Sequence, residues 1–570
     1  MNLYKFVSQE INKKLGFTAN LEVPKNRDFG DFSTNAAMIM AKSAGKNPRE
    51  LAGEILPKLE KLKFVESASV AGPGFINIKL HNDFIWQSAN KKSKTKNPNP
   101  EIIDMDYGAY NVAKSLHIGH LRTSIVGDTL NRIAKFLGHK TISYNHIGDW
   151  GRSMGFVIAW IKRIHPDWPF FQDKFDSKAD FSKYKMSVKE LDTYYPAAAE
   201  LAKNDEEFME QARLITAELQ KGHAGYNALY NVFMPISMSA MENVIKKINI
   251  MPFDNNLGEK NAAKYTEQIE KILRDKKLLQ KSEGAEIIVV KKDSDTAPMP
   301  PVLFYNSRGA VPYDATDIMA LYYRKITDNP NKIIYITDIR QHLHFEQLFR
   351  VAELTQMFPI ENLEHLGYGT INGPDGKPFK TRDGTAAGLL DVIEMVNDAV
   401  QNRVKEAGKN LDNETIESIA LAALKFNDLM HDVKSDYTFD PATITSFEGR
   451  TGPYILYTAV RLKSILNKAN HQNSEIVNKK LESDERNLLI GILDFERTVQ
   501  SAFDNRAPDI LANYTYDLCQ LINTFYHNCP ILHESVDEQT RAQRLQITQI
   551  ALGTLSQAID LMGLKIPNEM

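Results

Sequence analysis

Polar and apolar positions along the chain change period several times, and each change marks an element. Residues 48–61 repeat apolar side chains at three- and four-residue spacing behind Asn47-Pro48, an N-cap followed by proline at the first helical position, and predict a helix. Two short strands follow, 64–70 and 75–80, joined by Ala71-Gly72-Pro73-Gly74. Residues 91–100 are polar, lack apolar periodicity and have the composition of a linker, so a boundary is placed at 98. Strand 102–107, a helix over about 119–137 and strand 141–147 then read as a βαβ unit, the signature of a parallel sheet with crossover helices. From about 163 to 300 the alternation stops, and the charged, mostly helical stretch, as in 187–219, reads as an insertion. Helix 314–325, strand 332–337, helix 344–354 and strand 363–371 resume the pattern, and the sheet domain is expected to end near 390. Beyond it, amphipathic stretches at 413–431, 451–471, 508–527 and 539–562 predict a helical bundle.

Length agrees with this division, because 570 residues exceed what one hydrophobic core supports, roughly 250–300. Hydrophobic residues at 43% and charged residues at 25% are those of an ordinary globular chain and exclude a fibrous or largely disordered one. No apolar run is long enough to span a bilayer, and the first thirty residues lack the apolar core of a secretory signal. Cys519 and Cys529 are too few for a disulfide framework or a cysteine-only zinc site, which fits a reducing cytosol. The net charge of −3 hides an asymmetry: residues 1–100 carry +7 and the remainder −10. Such a split points to a polyanion met by the basic part, with a solvated lysine-rich surface as the competing explanation.

The most specific stretch is Asn111-Val112-Ala113-Lys114-Ser115-Leu116-His117-Ile118-Gly119-His120, between the first sheet strand and its helix. A strand-to-helix turn directs backbone N–H groups and the positive helix end at a ligand above the sheet edge, which favours phosphate. Gly119 permits close approach, and His117 and His120 can donate to phosphoryl oxygens as charge builds. A capping histidine or half of a metal site would account for the same residues. Tyr313 and Asp317, four apart at a helix start, share one face and could meet a cation, but Asp314-Ala315-Thr316-Asp317 equally reads as an N-cap with an acidic residue at N3.

These residues resemble the class I aminoacyl-tRNA synthetases, whose first signature is His-Ile-Gly-His or a close variant at this turn. The sequence 106–114 before it, Leu121-Arg122-Thr123-Ser124-Ile125-Val126-Gly127-Asp128 after it and Asn145-His146-Ile147-Gly148-Asp149-Trp150-Gly151 on the next strand are similar to the arginyl pattern. So are Phe29-Gly30-Asp31-Phe32-Ser33-Thr34-Asn35 and Gly72-Pro73-Gly74-Phe75-Ile76-Asn77 near the amino terminus. Thr451-Gly452-Pro453-Tyr454, Asn523-Thr524-Phe525-Tyr526 and Pro567-Asn568-Glu569-Met570 resemble its anticodon-binding bundle. Two departures stand out. Tyr110 occupies a usual proline position, and Gly373-Pro374-Asp375-Gly376-Lys377-Pro378-Phe379-Lys380-Thr381-Arg382 replaces the second signature, Lys-Met-Ser-Lys.

The resemblance implies a multidomain α/β protein: an α+β amino-terminal domain over 1–98 that contacts tRNA, a Rossmann-like catalytic domain over 99–390 with the insertion at about 163–300, and an all-α anticodon-binding domain over 391–570. It implies a ligase that activates L-arginine with ATP and charges tRNA(Arg), requiring tRNA for the first step, and acting as a cytoplasmic monomer with no membrane partner. Mg²⁺ is expected on the phosphates, without a dedicated protein site. Catalysis is assigned to His117, Gly119, His120, Lys114 and Lys380; ATP binding to His117, His120, Lys377, Lys380 and Arg382; and arginine binding to Asp106, Asn111, Tyr313, Asp317 and Gln341. The rivals are a small-molecule nucleotidyltransferase, which has no need of the long helical tail, and a tRNA-binding paralogue without activity, against which His117, His120, Asp317 and Gln341 speak.

Overall fold

The structure is a computed structural model of the 570-residue chain and describes residues 3–16, 18–19, 21–24, 29–91, 97–108, 110–112, 116–373, 375–379, 388–469 and 480–570. It divides into two compact units, Met1–Lys96 with Arg403–Met430 and Ile444–Met570, and Asn97–Asn402 with His431–Thr443.

The second unit is built on five parallel strands, β1 (Ile102–Asp106), β2 (Lys140–Ile147), β3 (Asn255–Gly258), β4 (Lys332–Asp338) and β5 (Leu363–Tyr368), in the order β5-β4-β1-β2-β3. Ile103 and Met105 of β1 and Ile333, Ile334 and Ile336 of β4 are all fully buried, as expected of central strands covered on both faces. Helices α1 (Gly119–Phe136), α2 (Tyr313–Thr327) and α3 (His342–Thr355) are the crossovers. From β1 the chain winds outward to β2 and β3, then returns to lay β4 on the other side of β1. At that reversal the loops leaving the carboxyl ends of β1 and β4 diverge, which leaves a crevice at the sheet edge.

Three features differ from the sequence pattern. The segment expected as a helical insertion does contain helices Val188–Asn204, Glu206–Gln220 and Ala224–Lys247, but it also supplies β3 and an antiparallel sheet of Leu279–Ser282, Ala285–Ile288 and Val302–Tyr305. Asn255-Asn256-Leu257-Gly258 has no β-branched residue. It becomes a strand because Tyr144 to Ile147 pair with it, and because Asp254 accepts from the backbone and hydroxyl of Ser143, both at 2.8 Å. The stretch expected as one strand over 363–371 is broken after Tyr368, and Ile371–Asn372 pairs with Tyr437–Thr438 instead. Arg122 of α1, 1% exposed, fixes that region by donating to the carbonyls of Gly369 and Ser435 at 3.0 and 2.8 Å. Helix Leu389–Glu406 runs through the point near 390 where the sheet domain was expected to end.

The first unit joins an antiparallel sheet, ordered Leu21–Glu22, Phe32–Thr34, Phe75–Leu80 and Val65–Ala71, with helices that include Gly452–Lys468, Ser483–Leu493, Pro508–Asn528 and Glu538–Leu561. Leu488, Leu489, Leu511, Ala551 and Leu555 are fully buried in its helical part. Asn47 caps helix Pro48–Glu60 by accepting from Arg49 N at 2.9 Å. By its contacts the amino-terminal segment, expected from the sequence as a domain over 1–98, falls within the same compact unit as the helices. Across that unit Asp31, 1% exposed, takes both Nη atoms of Arg486 at 2.7 Å, a pairing that a buried carboxylate requires. Among the described residues no helix is long and apolar enough to cross a membrane.

Candidate active site

The carboxyl edge of β1 and the start of α1 bring His117 and His120 together, with ring centres 4.0 Å apart. His120 Nδ1 accepts from the backbone of His117, and His117 Nδ1 accepts from that of Gly119, each at 3.1 Å. A side chain at Gly119 would come within 2.8 Å of the His117 ring, so the ring holds this position only with glycine there. Ile118, at the N-cap of α1, contributes no side-chain cap, and the exposed His117 lies beside the helix's positive end. Tyr110, standing in a usual proline position, is fully buried: its hydroxyl is 2.6 Å from Ser124 Oγ and its ring meets His120 edge-on at 5.8 Å.

On the β4 side, Asp317 is not a helix cap. Helix α2 begins at Tyr313 with Pro312 as N-cap, which places Asp317 in the second turn. Its Oδ2 is 2.6 Å from His344 Nε2 and its Oδ1 is 3.1 Å from His146 Nε2. His344 also faces Asp314 Oδ1 from Nδ1, at 3.3 Å. Tyr313 stacks at a tilt over His344, ring centres 5.0 Å apart, while leaving 56% of its surface exposed. Burial works against the charged form of both imidazoles, but Asp317 on His146, and Asp314 with Asp317 on His344, outweigh it and lift each to about 9. Burial opposes the Asp317 carboxylate too, and the two histidines overcome that and hold it well below the usual carboxylate range. Gln341 is exposed at the N-cap of α3, three residues before His344.

Asp106, the last residue of β1, accepts from Arg324 Nη2, while its Oδ1 is buried without a hydrogen-bond partner. Asn111 forms a bridge with Gly148, where a side chain would come within 2.4 Å of Asn111 Oδ1; the loops after β1 and β2 therefore run in close contact. Glu259, 9% exposed, accepts from Trp150 N at 3.2 Å, and burial first of all raises its carboxyl to about 7. Lys377 lies exposed in a tight turn closed by Gly373 N to Lys377 O at 2.7 Å. Lys114, Lys380 and Arg382 lie outside the described residues. Sequence reasoning assigned no role to His344 or Arg324, and quoted His146 only as part of a motif. Residues separated by 171 and 27 positions from Asp317 give no local signal that they converge on it.

In the other unit, three stretches singled out from the sequence line one cavity of about 800 Å³, through Tyr454, Asn523, Thr524 and Met570, together with Tyr457 and Arg461. Asn523 Nδ2 donates to Tyr454 Oη at 2.6 Å, and Arg461 Nη1 donates to Asn523 Oδ1 at 2.8 Å. Aromatic rings beside a fixed polar network are the combination that stacks a base and reads its edge.

Three family models match: tRNA synthetases class I (R), catalytic domain, over residues 84–441; DALR anticodon binding domain, over 455–570; and Arginyl tRNA synthetase N terminal domain, over 2–80. The arginine–tRNA ligase of Alkaliphilus oremlandii is 37% identical over 99% of this chain and 97% of its own length. That of Francisella tularensis subsp. novicida is 36% identical over the full length of both chains. The crystal structure of arginyl-tRNA synthetase from Plasmodium falciparum superposes with a TM-score of 0.80 at 25% identity, covering 99% of this chain and 98% of that one. With its catalytic, anticodon-binding and amino-terminal models matched in order, and full-length relatives above one-third identity, the chain belongs to the arginyl-tRNA synthetases of class I.

Proposed function

We propose that the chain joins L-arginine to ATP and passes the arginyl group to tRNA(Arg), with arginine held at Asp317. The observation that carries the placement is Asp317 itself: an ionised carboxylate at the crevice whose described partners are two titratable imidazoles rather than a permanent cation. A guanidinium, always charged and with five donors in a plane, is the ligand such a group suits. Tyr313 and Gln341 flank it, Asp106 offers its second oxygen, and Asn111 receives the α-amino group. The α-carboxylate oxygen attacks the α-phosphorus of ATP as the bond to pyrophosphate breaks; a ribose hydroxyl of tRNA then attacks the carbonyl and AMP leaves.

The protein's part is positioning and charge stabilisation. His117 and His120 donate to phosphoryl oxygens at the open end of α1, with Gly119 allowing the approach. Lys114, Lys377, Lys380 and Arg382 supply further positive charge to the triphosphate. Magnesium prefers oxygen ligands, and the turn offers imidazoles and N–H donors instead, so the ion would arrive on the phosphates and screen their charge. The cavity at Tyr454 and Met570 would take an anticodon base, residues 1–98 would add a basic contact to tRNA, 99–390 would carry the chemistry and 391–570 the anticodon, in a cytoplasmic monomer. Buried acceptors shaped for a guanidinium reject other side chains by roughly 10⁴–10⁵, which makes a separate editing site unnecessary.

ATP–pyrophosphate exchange with each of the amino acids, with and without tRNA, tests this reading. Exchange specific to arginine and dependent on tRNA is expected; exchange with another amino acid, or none with any, would overturn it.

A further inference from the structure

We infer that His344 is an arginine-contacting residue that carries a proton in place of the substrate, releasing one proton from Nε2 as each arginine guanidinium docks on Asp317. The inference rests on the arginine site proposed above. It starts from geometry. His344 turns both ring nitrogens to carboxylates, Nδ1 to Asp314 at 3.3 Å and Nε2 to Asp317 at 2.6 Å. A neutral imidazole has one donor and would aim its lone pair at one of the two anions, so the ring bears both protons. With His344 Nε2 on one Asp317 oxygen and His146 Nε2 3.1 Å from the other, imidazoles already stand over the carboxylate a guanidinium must use.

The incoming guanidinium cannot shed its own proton. A second cation in this half-buried cluster is unfavourable unless charge leaves, and the neighbouring groups narrow where it leaves from. Asp314 and Asp317 are the anions being shared, and Arg324 is permanently charged. Tyr313 is neutral, its phenol raised to about 12 by burial and by Asp314. His365 on β5 is neutral, since burial and then the charges of His342 and His344 push it down to about 4. Asp106 and Asp149 act on His146 and Glu259 rather than facing His344. Two proton sources remain besides His344. His146 feels the same Asp317 charge and that of Asp106, so the His344→Gln variant below is what separates it from His344, and Glu259, at about 7, is largely ionised by pH 8. When the Nε2–H bond of His344 breaks and the proton passes to buffer, the ring keeps Nδ1–H on Asp314. Its freed Nε2 lone pair then accepts from a guanidinium N–H, so the same side chain that blocked the carboxylate becomes part of the arginine contact.

Calorimetric titration of arginine into the full-length chain, in phosphate and in Tris at pH 7 and pH 8, reads the proton count directly from the dependence of heat on buffer. The expected result is about one proton released per arginine at pH 8, with a dissociation constant roughly tenfold lower at pH 8 than at pH 7. In His344→Gln, which keeps a polar side chain that cannot titrate, the release and the pH dependence should both disappear. Arginine binding without proton release in the unaltered chain overturns the inference, and that series needs no variant to fold. Release undiminished in His344→Gln overturns it as well. A chain that binds arginine and charges tRNA(Arg) without releasing a proton refutes the role of His344 alone, whereas one that binds no arginine and charges no tRNA refutes the arginine site and this inference together.

Discussion

Arg324 donates from Nη2 to Asp106 where neither side chain meets solvent, with 0% and 5% of their surfaces exposed. The guanidinium lies 4.4 Å from the ring centre of Tyr144 and 5.1 Å from that of Tyr335. Asp104, two residues earlier on β1 and therefore on the same face, is buried beside them, and burial lifts its carboxyl to about 8 against the pull of Arg324. Arg324 thus holds the Asp106 carboxylate and lies beside a second buried carboxyl beneath the crevice.

Arg324→Met should cost about 3–5 kcal/mol, because it leaves Asp106 buried without its partner. The loss should grow with pH. Asp104 has a folded value raised above its unfolded one, so its contribution is fully present below about 3.9 and is lost as pH rises through about 8. Removing Arg324 takes away the charge that restrains this rise. Thermal melts of the unaltered chain and the variant at pH 6 and pH 8 check it: a deficit that is no larger at pH 8 would refute the coupling.

Tyr110 gives a sharper separation of structure from chemistry. Tyr110→Phe removes the contact with Ser124 but keeps the ring against His120, and should cost about 1 kcal/mol of stability with the rate of adenylate formation nearly unchanged. His120→Ala should do the reverse, lowering that rate by roughly 10²–10³ with little change in the arginine dissociation constant. Single-turnover pyrophosphate exchange and a melt on each variant decide between these outcomes.

Deleting residues 1–98 would strip Asp31 from Arg486, so the helical part should lose stability as well as tRNA affinity. Arg486→Ala isolates the first effect, at about 3 kcal/mol, since both partners are largely buried and the bond is two-pronged. A melt of the full-length variant unchanged from that of the parent would show that this ion pair contributes nothing to holding the two parts together.

How far the sequence carries depends on the range of the interaction. Helix Pro48–Glu60 and its Asn47 cap, the strands on either side of Gly72 and Gly74, and α1 beginning at Gly119 are specified by neighbours in the chain, and their patterns were legible. β3 was not, because Asn-Asn-Leu-Gly is a strand only by virtue of its pairing with β2. The same holds in the site. His117, Gly119 and His120 lie within four residues and stand out by their resemblance to the first class I signature, but the partners of Asp317 come from β2 and α3, and the partner of Asp31 lies 455 residues away. Aspartates are visible in a sequence; which cation answers each one is a tertiary fact.

Asp317 is where these strands of reasoning can be tested most directly. With the capping role excluded by the start of α2 at Tyr313, its removal should act on arginine rather than on helix stability. Asp317→Ala leaves the guanidinium without its anion, at about 2–5 kcal/mol. At 1.36 kcal/mol per tenfold, kcat/KM for arginine should fall by roughly 30- to 5000-fold. Asp317→Asn keeps the shape and an acceptor oxygen but deletes the charge that His146 and His344 share, leaving Asp106 and Asp314 to act on them singly. Those imidazoles, at about 9 in the folded chain against about 6.5 unfolded, contribute stability that is fully present below pH 6.5 and lost as pH rises through 9. The parent should therefore melt at a lower temperature at pH 9 than at pH 6.5, and Asp317→Asn should flatten that dependence while keeping most of the kinetic defect. Steady-state kinetics for arginine and melts at the two pH values, on the same preparations, are sufficient. An unchanged kcat/KM in both variants would remove Asp317 from the pocket, and an unflattened melting profile would mean that the two imidazoles draw their charge from somewhere other than this carboxylate.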